Sequence, residues 1–135
     1  MRQALILVRQ KLSKAIENLS VFAKKYAELP QLGATHFQAA QLTTVGKRAC
    51  LWIQDLIIDF EELDFLIKAL PFRGVKGTTG TQASFMKLFN DDGVKVKALD
   101  AKVTAKMGFT KCLTITGQTY TRKWDARVNA VLSSI

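Results

Sequence analysis

The sequence contains no apolar run long enough to cross a membrane, which takes about 20 consecutive apolar residues in a helix. It also shows no secretory signal near its start, because Arg9, Lys11 and Lys14 interrupt the apolar stretch that a signal peptide requires. The chain has 135 residues, the size of one domain, and at 48% hydrophobic residues it is too apolar for a disordered tail. We therefore expect a cytoplasmic protein with no membrane partner.

Cysteine is scarce, and Cys50 and Cys112 form neither a disulfide framework nor a metal-ligand spacing. Cys50 lies in an apolar helical stretch beside Leu51 and Trp52, so we expect it to be buried and reduced. The sequence also lacks a metal-ligand cluster, a paired-carboxylate signature and the Ser/His/Asp order of a hydrolase. No metal site is predicted.

Histidine occurs once, as His36, between the two longest helical patterns of the chain. An imidazole exchanges protons near neutral pH, so a lone histidine at such a break is a candidate acid or base. The alternative is a hydrogen-bonded surface or core histidine that does no chemistry. The local sequence leaves both interpretations open.

Acidic residues are few relative to basic ones: 11 Asp and Glu against 20 Lys and Arg give a net charge of +9. The basic excess is spread along the chain, and only residues 31–70 carry more acidic than basic groups. Such a balance is compatible with nucleic acid, a membrane surface or a polyanionic small substrate, or with a piece separated from acidic partners. No nucleic-acid partner is expected, because the aromatic residues lie mostly in helix stripes.

Proline occurs only twice, and Pro30 and Pro71 each end a predicted helix. The first helix covers residues 4–28 and the second covers 43–70, both with apolar residues at spacings of three and four. The second helix also carries apolar residues outside its main stripe, including Leu51, Ile58 and Phe65. A helix that is apolar on more than one face needs partners on several sides, which predicts burial in a larger, oligomeric bundle.

The remaining pattern predicts two more helices and one short extended segment. Asp91 or Asp92 caps a helix that ends before Gly108, residues 113–116 are extended, and a last helix begins near Thr121. The first and last helical patterns run to the chain ends, so we expect a piece of a larger protein. The predicted class is mostly all-α, a segment of a long-helix bundle.

Two polar segments are candidates for ligand binding. Residues 73–84 form a glycine- and threonine-rich loop that is not a P-loop, and its Gly74-x-x-Gly77 resembles a KH-module clamp only weakly. Its alternatives are a phosphate-binding loop and an ordered turn between helices. Gln118, before the last helix, can orient a substrate through its amide or belong to a helix-start cap network.

Three stretches together resemble the adenylosuccinate lyase family of the fumarase/aspartase superfamily. They are Gly33-Ala-Thr-His-Phe-Gln-Ala-Ala-Gln-Leu-Thr-Thr-Val-Gly-Lys-Arg48, Phe72-Arg-Gly-Val-Lys-Gly-Thr-Thr-Gly-Thr-Gln-Ala-Ser84 and Ile115-Thr-Gly-Gln-Thr-Tyr-Thr-Arg-Lys123. The Thr-His-x-Gln-x-Ala-Gln segment alone indicates the superfamily, and the other two point to the animal type of this lyase. The similarity runs through nearly the whole chain.

The resemblance implies an elimination of fumarate from adenylosuccinate and from the succinylated aminoimidazole carboxamide ribotide of purine synthesis, with AMP as the other product from the former. His36 falls on the family's catalytic histidine, the general acid for the leaving nitrogen, and Thr35 and Gln118 fall on substrate-binding residues. The family uses no metal or organic cofactor. Its helical subunits form homotetramers in which each active site combines segments of three subunits.

Several family features have no match in this sequence. Residues 1–135 correspond to part of the central helical domain, without the N-terminal domain, the C-terminal domain or the Ser-Ser-x-Met-Pro-x-Lys-x-Asn loop that carries the base. Ala39 stands where the family has proline, which would stiffen the turn beside His36. An elimination needs both an acid and a base, so we expect the isolated chain to be inactive. The alternative function is a non-enzymatic helical chain that oligomerises or co-assembles through its apolar faces.

Overall fold

The computed structural model describes residues 1–135 and contains five α-helices and one two-stranded sheet, which confirms the mostly helical class. The elements in chain order are α1 (Arg2–Lys25), β1 (Pro30–Thr35), β2 (Gln38–Thr44), α2 (Val45–Ala69), α3 (Ala83–Leu88), α4 (Gly93–Lys106) and α5 (Arg122–Ser134). The chain divides into two compact units, one of Met1–Lys68 with Val131–Ile135 and one of Ala69–Ala130. None of the helices has both the length and the apolar character needed to span a membrane.

Helices α1 and α2 of the first unit run antiparallel. Arg9 near the start of α1 is 2.5 Å from the Asp64 carboxylate near the end of α2, and Gly46 at the start of α2 lies against Ala23 at the end of α1. The apolar stripes meet in a core of fully or nearly fully buried residues: Leu5, Leu12, Ala23, Ala49, Leu63, Leu66 and Ile67. The predicted 3.6-residue periodicity of both helices is therefore confirmed.

The second apolar face of α2 has no cover within the chain. Leu51, Ile58 and Phe65 follow one another at seven-residue intervals on this helix, and they are 51%, 49% and 72% exposed. Cys50 is also exposed, so the expectation of a buried cysteine is wrong. The reason is rotational: Ala49 takes the fully buried position, and the next residue lies about 100° further around the helix.

A β-hairpin, which the sequence did not predict, fills the interval between α1 and α2. Its strands β1 and β2 pair antiparallel from Pro30 with Thr44 to Thr35 with Gln38, with an irregularity between Leu32 and Ala34. At its open end two backbone hydrogen bonds join the flanking helices, because Val45 N donates to Leu29 O at 2.9 Å and Gly46 N donates to Tyr26 O at 2.8 Å. The hairpin therefore projects from the junction of the two long helices.

The approach of α2 to the end of α1 requires glycine at position 46. A Cβ atom there would lie 2.7 Å from the Cα atom of Ala27 and would overlap the carbonyl oxygen of Ala23. Backbone groups cannot move aside as a flexible side chain can, so any larger residue would separate the two helices at the point from which the hairpin emerges.

The second unit is built around α4. Asp92 caps α4 by accepting hydrogen bonds from Val94 N at 3.0 Å and Lys95 N at 3.1 Å, and Gly108 follows its end with a positive φ of 76°. Both predicted ends are confirmed. Helix α5 begins at Arg122, one residue after the predicted start.

One local prediction for this unit is wrong, and one element of the unit was not predicted. Residues 113–116 do not form a strand, because the only partner backbone is Phe72, which makes a single parallel bridge with Cys112. The bridge consists of Phe72 N donating to Lys111 O and Leu113 N donating to Phe72 O, each at 2.9 Å. The six-residue helix α3 was not predicted, since one and a half turns are too short to establish a periodicity.

Candidate active site

Thr35 and His36 lie at the closed tip of the hairpin. The last strand pair joins Thr35 to Gln38, so His36 and Phe37 form a two-residue turn. The preceding pair joins Ala34 to Ala39, the residue for which the resemblance implies proline. Strand pairing therefore holds the backbone on both sides of His36 with alanine at that position.

The turn holds two non-glycine residues in the left-handed region of backbone space. His36 has φ of 51° and Phe37 has φ of 59°, the pattern of a type I′ turn, which favours Asn-Gly. An aromatic residue in this region is uncommon and costs conformational energy. Backbone strain of this kind occurs preferentially at functional sites, where side-chain placement is worth its cost in stability.

The side chains of the turn are directed away from the core. The His36 side chain is exposed and has no hydrogen-bonding partner within the chain. Phe37 is 108% exposed, so its ring packs against nothing. The arrangement presents an imidazole on a strained but doubly anchored turn, where it can exchange a proton with a molecule that approaches the tip.

Relief of the turn strain is expected to stabilise the chain. Phe37→Gly removes the Cβ that disfavours a positive φ and loses no packing, so urea unfolding should show a gain of about 0.5–1 kcal/mol. The matched control is Phe37→Ala, which removes the same ring but keeps the Cβ and should be near neutral. If Phe37→Gly is no more stable than Phe37→Ala, the turn is not strained in solution.

The glycine- and threonine-rich loop of the second unit is an ordered turn that hydrogen-bonds to itself. Gln82 donates from its backbone N to Lys76 O at 2.9 Å and from Nε2 to Val75 O at 2.8 Å. Gly80 packs so closely on Thr116 that a Cβ atom would overlap the Thr116 carbonyl oxygen. Glycine is thus required where the loop meets the segment that leads to Gln118.

Lys76 of this loop forms a buried ion pair with Asp100 of α4. The two residues are only 5% and 7% exposed, and the same carboxylate accepts hydrogen bonds from Val75 N at 2.7 Å and from Cys112 Sγ at 3.6 Å. Burial opposes ionisation of Asp100, but the Lys76 ammonium, the Val75 amide and the Cys112 thiol outweigh it and hold the pKa of this carboxyl below its ordinary value. Lys76 is therefore occupied and buried, which argues against a phosphate clamp at Gly74-x-x-Gly77.

Gln118 lies in the loop before α5, with an exposed side chain that has no partner within the chain. Two residues further on, the Tyr120 hydroxyl donates to the Pro71 carbonyl at 3.1 Å. Burial raises the pKa of Tyr120 above its ordinary value, against the opposing effect of Arg73, so the phenol keeps the proton that it donates. The amide of Gln118 is thus free to donate and accept on a backbone that is fixed nearby.

The structure places Thr35 and His36 next to each other at the tip of the hairpin and Gln118 in the second unit. Sequence reasoning missed the hairpin that carries His36, the Lys76–Asp100 pair and the contacts of Arg73. An available signal for the buried pair was Asp100 itself, an acidic residue within the apolar periodicity of α4. No group of three or more His, Cys, Asp or Glu side chains is arranged to hold a metal ion.

Comparison with curated proteins identifies relatives along nearly the whole chain, although no protein-family profile matches it. Adenylosuccinate lyase of Saccharomyces cerevisiae is 53% identical over 133 residues, which is 98% of this chain and 28% of the relative. That of Schizosaccharomyces pombe is 49% identical over 99% of this chain and 28% of its own length. That of Schistosoma mansoni is 44% identical over the full chain. The chain spans about 28% of the length of these relatives.

Solved structures share the fold at lower identity. The 3-carboxy-cis,cis-muconate lactonizing enzyme from Pseudomonas putida superposes with a TM-score of 0.82 at 22% identity, over 98% of this chain and 28% of that one. The fumarate lyase from Mesorhizobium sp. BNC1 gives a TM-score of 0.76 at 20% identity, over 98% of this chain and 29% of that one. The chain therefore has the fold of one segment of these two enzymes.

Proposed function

The chain is a homologue of one segment of adenylosuccinate lyase, and on this premise we propose that it supplies the acid-bearing part of a lyase active site. The reaction is elimination of fumarate from adenylosuccinate, which leaves AMP, and from the succinylated aminoimidazole carboxamide ribotide. In such an elimination a base removes a carbon-bound proton, the carbon–nitrogen bond breaks, and an acid protonates the departing nitrogen. His36 is the acid in this proposal.

The observation that carries the proposal is the position of His36. Its imidazole is exposed and unpartnered, on a turn whose two residues have φ of 51° and 59° and whose flanking residues are paired on both strands. A proton donor needs access to the leaving group and a fixed aim, and the two-residue turn supports both. Thr35, its neighbour at the last strand pair, is proposed to contact the same substrate.

Gln118 is proposed as a further substrate-binding residue. Its side-chain amide can donate and accept hydrogen bonds at once, and it is exposed with no competing partner in the chain. A dicarboxylate-bearing substrate offers acceptors for the amide nitrogen. We propose no metal or organic cofactor for these steps, because proton transfer and hydrogen bonding account for them.

Assembly with other subunits is proposed to occur through α2. Leu51, Ile58 and Phe65 form an exposed apolar row along about 14 residues of this helix, and exposed rows of this kind mark contacts with other chains. The partner is a second copy of the whole enzyme's helical domain, in a homotetramer of the adenylosuccinate lyase type. This observation also favours the second candidate function, co-assembly without catalysis, which an activity measurement separates from the first.

The test is a chimeric enzyme in which this chain replaces the matching 28% of Saccharomyces cerevisiae adenylosuccinate lyase. The yeast parts then provide the remaining site, including the base. We expect the chimera to convert adenylosuccinate to AMP and fumarate, because 53% of the aligned residues are identical in the two chains. A chimera that assembles as the yeast enzyme does but has no turnover would favour the non-catalytic alternative.

A further inference from the structure

The Arg73 side chain connects two segments that are far apart in the sequence of the second unit. One nitrogen of its guanidinium, Nη2, donates to the Gly77 carbonyl at 3.1 Å and to the Gly117 carbonyl at 2.8 Å. Gly77 belongs to the glycine- and threonine-rich loop, and Gly117 directly precedes Gln118. Both distances are those of well-formed hydrogen bonds, so the guanidinium spans the two segments without strain.

The Arg73 guanidinium forms no ion pair with a carboxylate. Its contacts are hydrogen bonds, which fix the direction of the groups that accept them but do not neutralise its charge. The hydrogen bonds of Arg73 both end on backbone carbonyls, and its Nε atom is buried without a hydrogen-bonding partner in the chain. A guanidinium donates from a rigid planar fork, which fixes the positions of the groups it binds better than a flexible ammonium does. The residue is thus placed to hold backbone geometry.

Two further contacts hold the same backbone. Gly80 packs against the carbonyl of Thr116, the residue before Gly117. Tyr120, two residues after Gln118, donates a hydrogen bond from its hydroxyl to the Pro71 carbonyl. Gln118 is therefore an exposed residue, between exposed neighbours, in a segment that is anchored at 116, 117 and 120. An amide on such a segment keeps its orientation before any ligand arrives, which lowers the cost of binding.

We propose that Arg73 is a positioning residue, which fixes the Gly117–Gln118 backbone so that the Gln118 amide meets the substrate. This inference rests on the proposed function of Gln118 and assigns a second residue to its action. Arg73 itself contacts no ligand in this account. Its contribution passes through the carbonyl of Gly117, so it disappears when the Gln118 side chain is removed.

The first experiment is a double-mutant cycle in the chimeric enzyme, with Arg73→Met, Gln118→Ala and the two combined. We expect each single change to raise KM by about 10- to 100-fold, the effect of losing a hydrogen bond to a charged ligand, with kcat changed less. The double variant should be no worse than Gln118→Ala alone, because both act on one contact. Arg73→Lys, which keeps a donor, should restore part of the loss.

The outcomes separate this inference from the proposed function. Suppose that Gln118→Ala raises KM and that Arg73→Met raises it by its full factor again in the double variant. Arg73 then does not act through Gln118, and the inference is overturned. If Gln118→Ala leaves KM and kcat unchanged, the substrate-binding role of Gln118 is wrong, and the positioning role of Arg73 is overturned with it. The matched control is Arg122→Met, an exposed arginine at the start of α5.

A second measurement uses the 135-residue chain alone and does not depend on activity. In NMR relaxation measurements, Arg73→Lys should lower the backbone order parameters of residues 116–119 from about 0.85, the value of rigid backbone, toward about 0.6, because a weakened anchor lets the segment move. Order parameters in α4 should be unchanged, and Arg122→Lys should alter neither. Unchanged order parameters at 116–119 in both Arg73→Lys and Arg73→Met would overturn the inference.

Discussion

His36→Asn is expected to lower the turnover of the chimeric enzyme by about 10²–10⁴-fold, the range that general acid catalysis contributes. Asparagine is chosen because it tolerates the positive φ of 51° at this position, so the turn should keep its shape. The side chain remains polar but can no longer deliver a proton to the leaving nitrogen. The loss should appear in kcat more than in KM, since the proton is transferred in the transition state.

The control for this prediction is Phe37→Ala in the same turn. That change removes the neighbouring exposed ring, leaves the imidazole in place and should affect kcat far less than His36→Asn. The circular dichroism spectrum should be the same for both variants, because neither residue is part of the core. A near-normal kcat in His36→Asn would remove His36 from the role of general acid.

Asp100→Ala is expected to have the largest effect on stability, a loss of about 3–5 kcal/mol in the free energy of unfolding. The reason is the ammonium of Lys76, which is only 5% exposed and would remain buried without a counter-charge. The change also removes the acceptor for Val75 N, a 2.7 Å hydrogen bond that fixes the start of the loop. Urea unfolding followed by circular dichroism measures the loss.

Two further variants test whether the loss of stability in Asp100→Ala comes from the unpaired Lys76 charge. Asp125→Ala removes an exposed carboxylate from the first turn of α5 and should cost no more than about 1 kcal/mol. The double variant Lys76→Met/Asp100→Leu removes both charges and should recover much of the stability lost in Asp100→Ala. A double variant as unstable as Asp100→Ala would mean that the pair is not the cause.

The Lys76–Asp100 pair also predicts how the free energy of unfolding changes as the pH falls. Because the folded-state pKa of Asp100 is held below its ordinary value near 3.9, its contribution is fully present above that value and is lost as the pH falls through the lowered folded pKa. The stability difference between the unchanged chain and Asp100→Ala should therefore be constant near neutrality and shrink below about pH 4. A difference that grows on acidification would contradict this assignment.

The sequence predicted the helices because their signals are local and repeated. Apolar residues at spacings of three and four marked α1 and α2, while Asp92 and Gly108 marked the two ends of α4. The exposed apolar face of α2 followed from the same pattern, since a 3.6-residue period shows when one stripe cannot hold all the apolar residues.

The hairpin escaped prediction because its turn lacks the residues that normally announce one. His36 and Phe37 occupy positions that favour Asn-Gly, so the chain shows no turn signal between its strands. The position of His36 at a break was predicted, but the strained tip that carries it was not.

The contacts that fix the second unit also lay beyond sequence reasoning. Lys76 and Asp100 are 24 residues apart, and Arg73 reaches the carbonyl of Gly117 across 44 residues. No spacing rule connects such pairs, because the path of the loop decides which side chains meet. The resemblance implies a substrate-binding role for Gln118, whereas only the structure shows that Arg73 contacts the backbone beside it.

The proposed division of the active site is tested most directly by an adenylosuccinate lyase assay of the isolated 135-residue chain beside the chimeric enzyme. We expect turnover by the chimera and none by the isolated chain, even when circular dichroism shows that the chain is folded, because the proposal assigns the acid to these residues and the base to the rest of the enzyme. Turnover by the isolated chain that His36→Ala abolishes would contradict the proposal, since the base would then lie within residues 1–135.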